Sequence, residues 1–232
     1  MALIKFGGGV VGMAGSIAGT TFARNASGSY ARGRTKPINR NTGSQQIARD
    51  ALSALVSRWN DHLTPTERTS WQTYAQNVAM KNRLGESIFL SGMAHFIRSC
   101  SNNLQNGNVF VDTAPTTFTL GEKDTTLAAS ASKATQLVSI AYDVAAGWAK
   151  EANGMMYLYM GPPQNLTVNF YAGPWKKLGE MGGSAGPPLI SPKTFAPPFA
   201  IAEGQKLFIY ARVIRADGRT SEKFFCLCPT AA

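Results

Sequence analysis

The sequence predicts an α+β chain in three parts: an extended N-terminal arm over residues 1–40, three helices over 41–115, and an antiparallel β-sandwich over 116–232. Three observations carry this. The first forty residues hold six basic side chains, no acidic one and many glycines. From Ser44 apolar residues recur every three or four positions, the period of a helix face. After Ala114-Pro115 they recur every second position, the period of a half-buried strand.

In the arm, Lys5, Arg24, Arg32, Arg34, Lys36 and Arg40 sit among Gly7, Gly8, Gly9, Gly12, Gly15, Gly19, Gly28 and Gly33. So few large apolar groups cannot offset the entropy of ordering the backbone, so the arm is expected to order on another molecule. Phe22 and Tyr30 are the aromatic groups available to that contact, and the alternating small and apolar residues (Ile17, Phe22, Tyr30) permit short strands or a hairpin near Asn25–Gly28. These residues (Lys5, Phe22, Arg24, Tyr30, Arg32, Arg34, Lys36 and Arg40) are the candidate interaction set.

Ile47, Ala51, Leu52, Leu55, Val56, Trp59 and Leu63 trace one face of the first helix. Thr64-Pro65-Thr66-Glu67 is a start signal for the second: Thr64 caps, Pro65 suits the first helical position and Glu67 completes a capping box. Trp71, Tyr74, Ala75 and Val78 face inward. The short connection folds the two helices into an antiparallel hairpin, with Trp59, Trp71 and Tyr74 as its core and both tryptophans near the turn. A third helix is expected over about 91–104, with Met93, Phe96, Ile97, Cys100 and Leu104 inward.

The strands are read from Val138/Ile140/Tyr142, Met156/Leu158/Met160, Leu166/Val168/Phe170 and Leu207/Ile209/Ala211/Val213, with Asp217-Gly218 as a hairpin turn. Cys226 and Cys228 fall on one face of the last strand. The segment 182–198 is rich in Gly and Pro and is expected to be a surface loop.

Composition excludes several classes of function. The net charge is +10, with 12 basic and 5 acidic groups in residues 1–115 and 11 and 8 in residues 116–232. Such a balance favours anionic partners. Three cysteines and two histidines, His62 and His95, lack metal-ligand spacing or a disulfide framework, so no metal or cofactor is expected. Gly7-Gly8-Gly9-Val10-Val11-Gly12 satisfies a dinucleotide fingerprint literally, but no acid precedes Asp50, so no cofactor site is expected there. Carboxylates are sparse and no nucleophile–base pair stands out, so the chain is not expected to be an enzyme. The uncharged run 6–23 is dominated by Gly, Ala, Ser and Thr rather than Leu or Ile, too weakly apolar for a membrane span or a signal peptide. The sequons at Asn25 and Asn165 are discounted for the same reason.

Gly15-Ser16-Ile17-Ala18-Gly19-Thr20-Thr21-Phe22-Ala23-Arg24-Asn25, then Gly28-Ser29-Tyr30-Ala31-Arg32, then Lys36-Pro37-Ile38-Asn39-Arg40-Asn41-Thr42 is similar to the start of a group of tailed-bacteriophage structural proteins. In that group a helical hairpin with Trp in both arms follows, as with Trp59 and Trp71, and a segment like Leu90-Ser91-Gly92 opens the next helix. The C-terminal half, from Phe208 through Arg212, Asp217-Gly218-Arg219 and Ser221, resembles a fibronectin-type or immunoglobulin-like sandwich. The resemblance implies a virion component assembled in the host cytoplasm, with other shell or tail subunits as partners and a homo-oligomeric arrangement in the assembly. The expected role is a capsid-associated cement or decoration subunit attached through its arm. A tail or connector component is the nearest alternative. A nucleic-acid-binding protein using the basic arm, and a carbohydrate-binding adhesin using Tyr171, Trp175 or Phe195, are the alternatives of other classes.

Overall fold

The computed structural model describes residues 2–35, 38–82 and 84–231. Its class is mixed α+β, with three α-helices and several antiparallel sheets. The chain divides into two compact units, Met1–Ile97 and Arg98–Ala232. The boundaries expected from the sequence, at about residues 40 and 115, fall one within each unit. The arm and the helical hairpin share one unit, and the division falls inside the third helix.

In the first unit the expected extended arm is a four-stranded antiparallel sheet. Strands β1 (Ala2–Leu3), β2 (Gly15–Ile17), β3 (Thr20–Asn25) and β4 (Gly28–Gly33) run in the order β1-β4-β3-β2. The β3–β4 hairpin turns at Ala26-Ser27, with Gly28 at φ +113°, a conformation that side chains with a Cβ rarely adopt. Backbone pairing within the segment satisfies donors and acceptors that an extended arm would have left to a neighbour.

Helix α1 (Gly43–Ser57) begins where the Gln45 side-chain oxygen accepts from the Thr42 N–H at 3.2 Å. Its last turn widens into a π-helical turn, Arg58–His62, closed by the Leu63 N–H donating to the Arg58 carbonyl at 2.9 Å. Helix α2 (Pro65–Asn77) starts as its sequence dictates. The Glu67 N–H donates to Thr64 Oγ1 at 3.3 Å, and Glu67 Oε2 accepts from the Thr64 N–H at 2.8 Å. A two-stranded ribbon, β5 (Met80–Lys81) and β6 (Ser87–Ile88), leads to helix α3 (Gly92–Gln105). A Cβ at Gly92 would stand 2.8 Å from the Gln72 amide nitrogen, so only glycine lets α3 begin this close to the α2 backbone. Gln72 Oε1 accepts from the Gly92 N–H there at 3.1 Å.

The core of this unit holds Leu55, Trp71, Tyr74, Ala75 and Phe96. Trp71 and Trp59 both lie against the Phe96 ring, with centroids at 5.6 and 5.7 Å. Trp71 and Tyr74 are fully buried. Trp59 is only half-buried, because the π-helical turn rotates it off the face that a 3.6-residue period assigns it. Ile47 and Leu52, expected inward on α1, are 53% and 48% exposed, since cover within the unit reaches Ala51 and Leu55 only.

The second unit contains β7 (Ala128–Ser132), β8 (Leu137–Ala141), a 3-10 turn (Gly147–Lys150), β9 (Met155–Met160), β10 (Gln164–Asn165), β11 (Lys176–Gly182), β12 (Lys193–Phe195), β13 (Gln205–Ile214) and β14 (Phe224–Ala231). The hydrogen-bonded order is β11-β9-β13-β14-β7-β8-β12, with β10 against β13. Every pair is antiparallel except β14–β7, which meet in parallel at Thr230 and Ala231. Val138, Ile140, Leu158, Met160, Leu207 and Ile209 are completely buried in one cluster, as their alternation requires. Cys226 and Cys228 point into that cluster while Phe225 and Leu227 point out of it, and no disulfide joins any of the three cysteines.

Two strand expectations are corrected. Leu166, Val168 and Phe170 alternate but form no strand beyond Asn165, and Phe170 is 81% exposed. Pro162-Pro163 and Gly173-Pro174 bracket the segment, and alternation without a ladder partner does not make a strand. Conversely, the Gly/Pro-rich segment 182–198 contains β12, which pairs with β8 from Lys193↔Ile140 to Phe195↔Val138.

Around the β13–β14 turn, Glu151 receives Arg215 Nε at 2.9 Å, the Arg215 terminal nitrogen, and the Ala216 N–H at 3.1 Å. These bonds, Arg215 first, hold the Glu151 carboxyl below its ordinary value of 4.5. A depressed carboxyl contributes stability above its unfolded pKa and loses it as pH falls through the folded one. Acid titration of unfolding should therefore show a loss of about 1 kcal/mol below about pH 4.5, discounted for solvent screening. Glu151→Gln should remove that acid limb and carry the deficit at neutral pH; an unchanged limb would place the titrating group elsewhere.

Candidate protein-interaction surface

Among the described residues from 2 to 50, none is buried, although 2–33 form a hydrogen-bonded sheet. Val11 is 98% exposed, Ile38 83% and Ile17 62%. Ile17 lies in β2, while Val11 and Ile38 lie in the segments between β1 and β2 and after β4, so large apolar side chains are exposed both on the sheet and beside it.

Register divides the candidate interaction residues between two faces. Phe22 lies opposite Ala31, and Arg24 opposite Ser29, on one face. Tyr30 lies opposite Ala23, and Arg32 opposite Thr21, on the other, joined there by Leu3 opposite Tyr30. Each face therefore carries one aromatic ring and one arginine two residues away. The sequence shows this alternation only once the strand pairing is known.

Of the remaining basic groups, Lys5 is bound internally, its ammonium 2.6 Å from Glu86. That hydrogen bond, ahead of one from Asn82, lowers the Glu86 carboxyl pKa. Asn82 also donates to the Ser27 carbonyl at 3.3 Å, tying the hairpin tip to the β5–β6 ribbon. Arg34 and Arg40 are exposed, and Lys36 lies outside the described residues. Trp71 and Tyr74 belong to the packed helical core and supply no surface, whereas Trp59 packs on Phe96 with one side exposed.

The chemistry-bearing residues elsewhere stay apart. His95 is buried on α3, its ring edge-on to Tyr74 at 5.2 Å, and His62 is exposed at the end of the π-helical turn. Among the described residues no group of three His, Cys, Asp or Glu side chains converges as a metal site. The glycines at 7–12 lead to β2 rather than to a helix. No helix among the described residues is long and apolar enough to cross a membrane.

The inward stripe of α3 carries polar groups that apolar periodicity overlooks. In the second unit Asn103 Oδ1 accepts from the Tyr157 hydroxyl at 2.7 Å, and the Tyr157 hydroxyl oxygen in turn accepts from the Asn108 amide at 2.9 Å. Burial pushes the Tyr157 phenol up to about 12.

No family model matches the chain, and no curated protein matches it. Among solved structures it is similar to an Fn3-like protein from Clostridium thermocellum at 12% identity, over 46% of this chain and 88% of that one, with a TM-score of 0.30. A likeness of that size carries no argument about function.

Proposed function

We propose that this protein is a non-enzymatic structural subunit of a tailed-phage particle, a capsid-associated cement or decoration component that neighbouring virion subunits cover at its N-terminal sheet. The observation that carries this reading is a four-stranded sheet with no buried residue, bearing an aromatic ring and an arginine on each face. Residues 1–40 hold six basic and no acidic side chains, which suits an acidic neighbour. The similarity of residues 15–42 to phage structural proteins supplies the particle. In the same reading the second unit is a fibronectin-type sandwich. One layer is β12-β8-β7, the other β11-β9-β13-β14, and the parallel β14–β7 contact joins them, an arrangement supported by the strand order.

Co-sedimentation with particles lacking the native protein tests the proposal. Removing residues 2–33 should abolish attachment, while Phe22→Glu and Tyr30→Glu should each weaken it about tenfold or more if both faces are covered. Loss with only one variant would mean a single covered face. Full attachment of the truncated chain would overturn the assignment.

A further inference from the structure

The outer face of β9, β13 and β14 carries an aromatic row beside a cationic row. Register sets Tyr210 between Tyr159 and Phe225, with ring centroids 4.8 and 6.0 Å away. Trp175 stands edge-on to Tyr210 at 4.9 Å, with Tyr171 4.9 Å beyond it. Phe208 and Leu227 form the next cross-strand pair. Phe225 and Leu227 remain 60% and 53% exposed, although their strand is otherwise buried on its inner face.

Two residues along β13 from Tyr210 comes Arg212, opposite Tyr157. Lys223 enters the same face with its ammonium 4.6 Å from the Tyr210 ring centre. Lys206, further back on β13, donates to the Val168 carbonyl at 3.0 Å. Among the described residues no carboxylate pairs with Arg212, and its Nε makes no hydrogen bond. Burial lowers the pKa of this guanidinium, the mark of an uncompensated charge. The carboxylate on this side, Glu180, is already held by Lys177 at 3.0 Å and Asn108 at 3.3 Å.

We infer that this face docks a protein partner through a segment of apolar side chains interspersed with carboxylates, its apolar groups covering Phe225, Leu227 and Trp175 and a carboxylate meeting Arg212. Charge complementarity selects the occupant. A second copy laid face to face would set Arg212 and Lys223 against themselves. A polysaccharide needs polar partners for its hydroxyls, which Phe225 and Leu227 do not offer. Tyr, Trp, Phe and Arg together, with Glu180 already paired to Lys177, is the composition of a protein-interface centre. This inference concerns the second unit and is independent of the role assigned to the N-terminal sheet.

Fluorescence anisotropy of the full-length protein with labelled synthetic peptides tests it. The probes are an alternating Glu/Leu peptide, the Lys/Leu and Glu/Ser counterparts, and labelled dextran sulfate. The Glu/Leu peptide should bind and the other three should not. Lys223→Glu should weaken Glu/Leu binding at least tenfold and create binding of the Lys/Leu peptide. Phe225→Ser should abolish binding with an unchanged melting temperature, since the ring is exposed. Absence of Glu/Leu binding, or binding indifferent to both variants, would overturn the inference. So would a Phe225-dependent affinity for dextran sulfate, or a dimer in sedimentation equilibrium that Phe225→Ser dissolves.

Discussion

Trp71→Ala should cost about 3–5 kcal/mol of unfolding free energy in the first unit, while Trp59→Ala should cost about 1–2 kcal/mol. Both side chains rest on the Phe96 ring at nearly equal distance, so contact alone would assign them equal weight. Burial separates them. Trp71 has no exposed surface and also meets Tyr74 edge-on at 5.9 Å, so its removal leaves a closed cavity among Phe96, Tyr74 and Leu55. Trp59 sits in the π-helical turn with one side toward solvent, so water fills part of the space its removal leaves. Denaturant titration of both variants checks the ordering. Equal losses would mean that Trp59 is as enclosed as Trp71.

Gly183→Ala should cost about 3 kcal/mol, the largest effect expected from a single methyl group in this chain. A Cβ there would stand 2.2 Å from the Trp148 carbonyl oxygen and 2.5 Å from that of Glu151. Both obstacles are backbone, so no rotamer change relieves them. The Gly183 N–H donates to the Gly154 carbonyl at 2.7 Å, and the Ser184 N–H to the Ala149 carbonyl at 2.9 Å. The clash would therefore lift the end of β11 off the 3-10 turn that places Trp148, 3% exposed, in the core. Gly186→Ala, with only the Ser184 hydroxyl oxygen at 3.8 Å, is the control and should cost less than about 0.5 kcal/mol. Thermal unfolding followed by near-ultraviolet dichroism reads both. A near-neutral Gly183→Ala would mean that this turn yields at little cost.

Local signals in the sequence are realised where neighbours along the chain decide the outcome. The Thr64–Glu67 capping box forms as written, because its partners are three residues apart. Trp71, Tyr74 and Ala75 are buried as their spacing on a regular helix implies. Val138 and Ile140, like Leu207, Ile209, Ala211 and Val213, point into the core as their alternation implies, although Phe208 and Tyr210 on the other side of β13 are buried as well.

The failures share one cause: each depended on a partner distant in the chain. Ile47 and Leu52 carry the apolar spacing of a buried face, yet nothing within their unit covers them. Leu166 and Phe170 alternate without a ladder beyond Asn165, whereas Lys193–Phe195 becomes a strand because β8 is there to pair with it. In the N-terminal segment, composition established the basic charge and the shortage of large apolar groups, which bear on whether a partner is needed. Only pairing turned that segment into a sheet and sent Phe22 with Arg24, and Tyr30 with Arg32, to opposite faces. Likewise Tyr159, Trp175, Tyr210 and Phe225 are scattered through the sequence, and they meet only because cross-strand register, unlike helical or strand period, is a property of two strands at once.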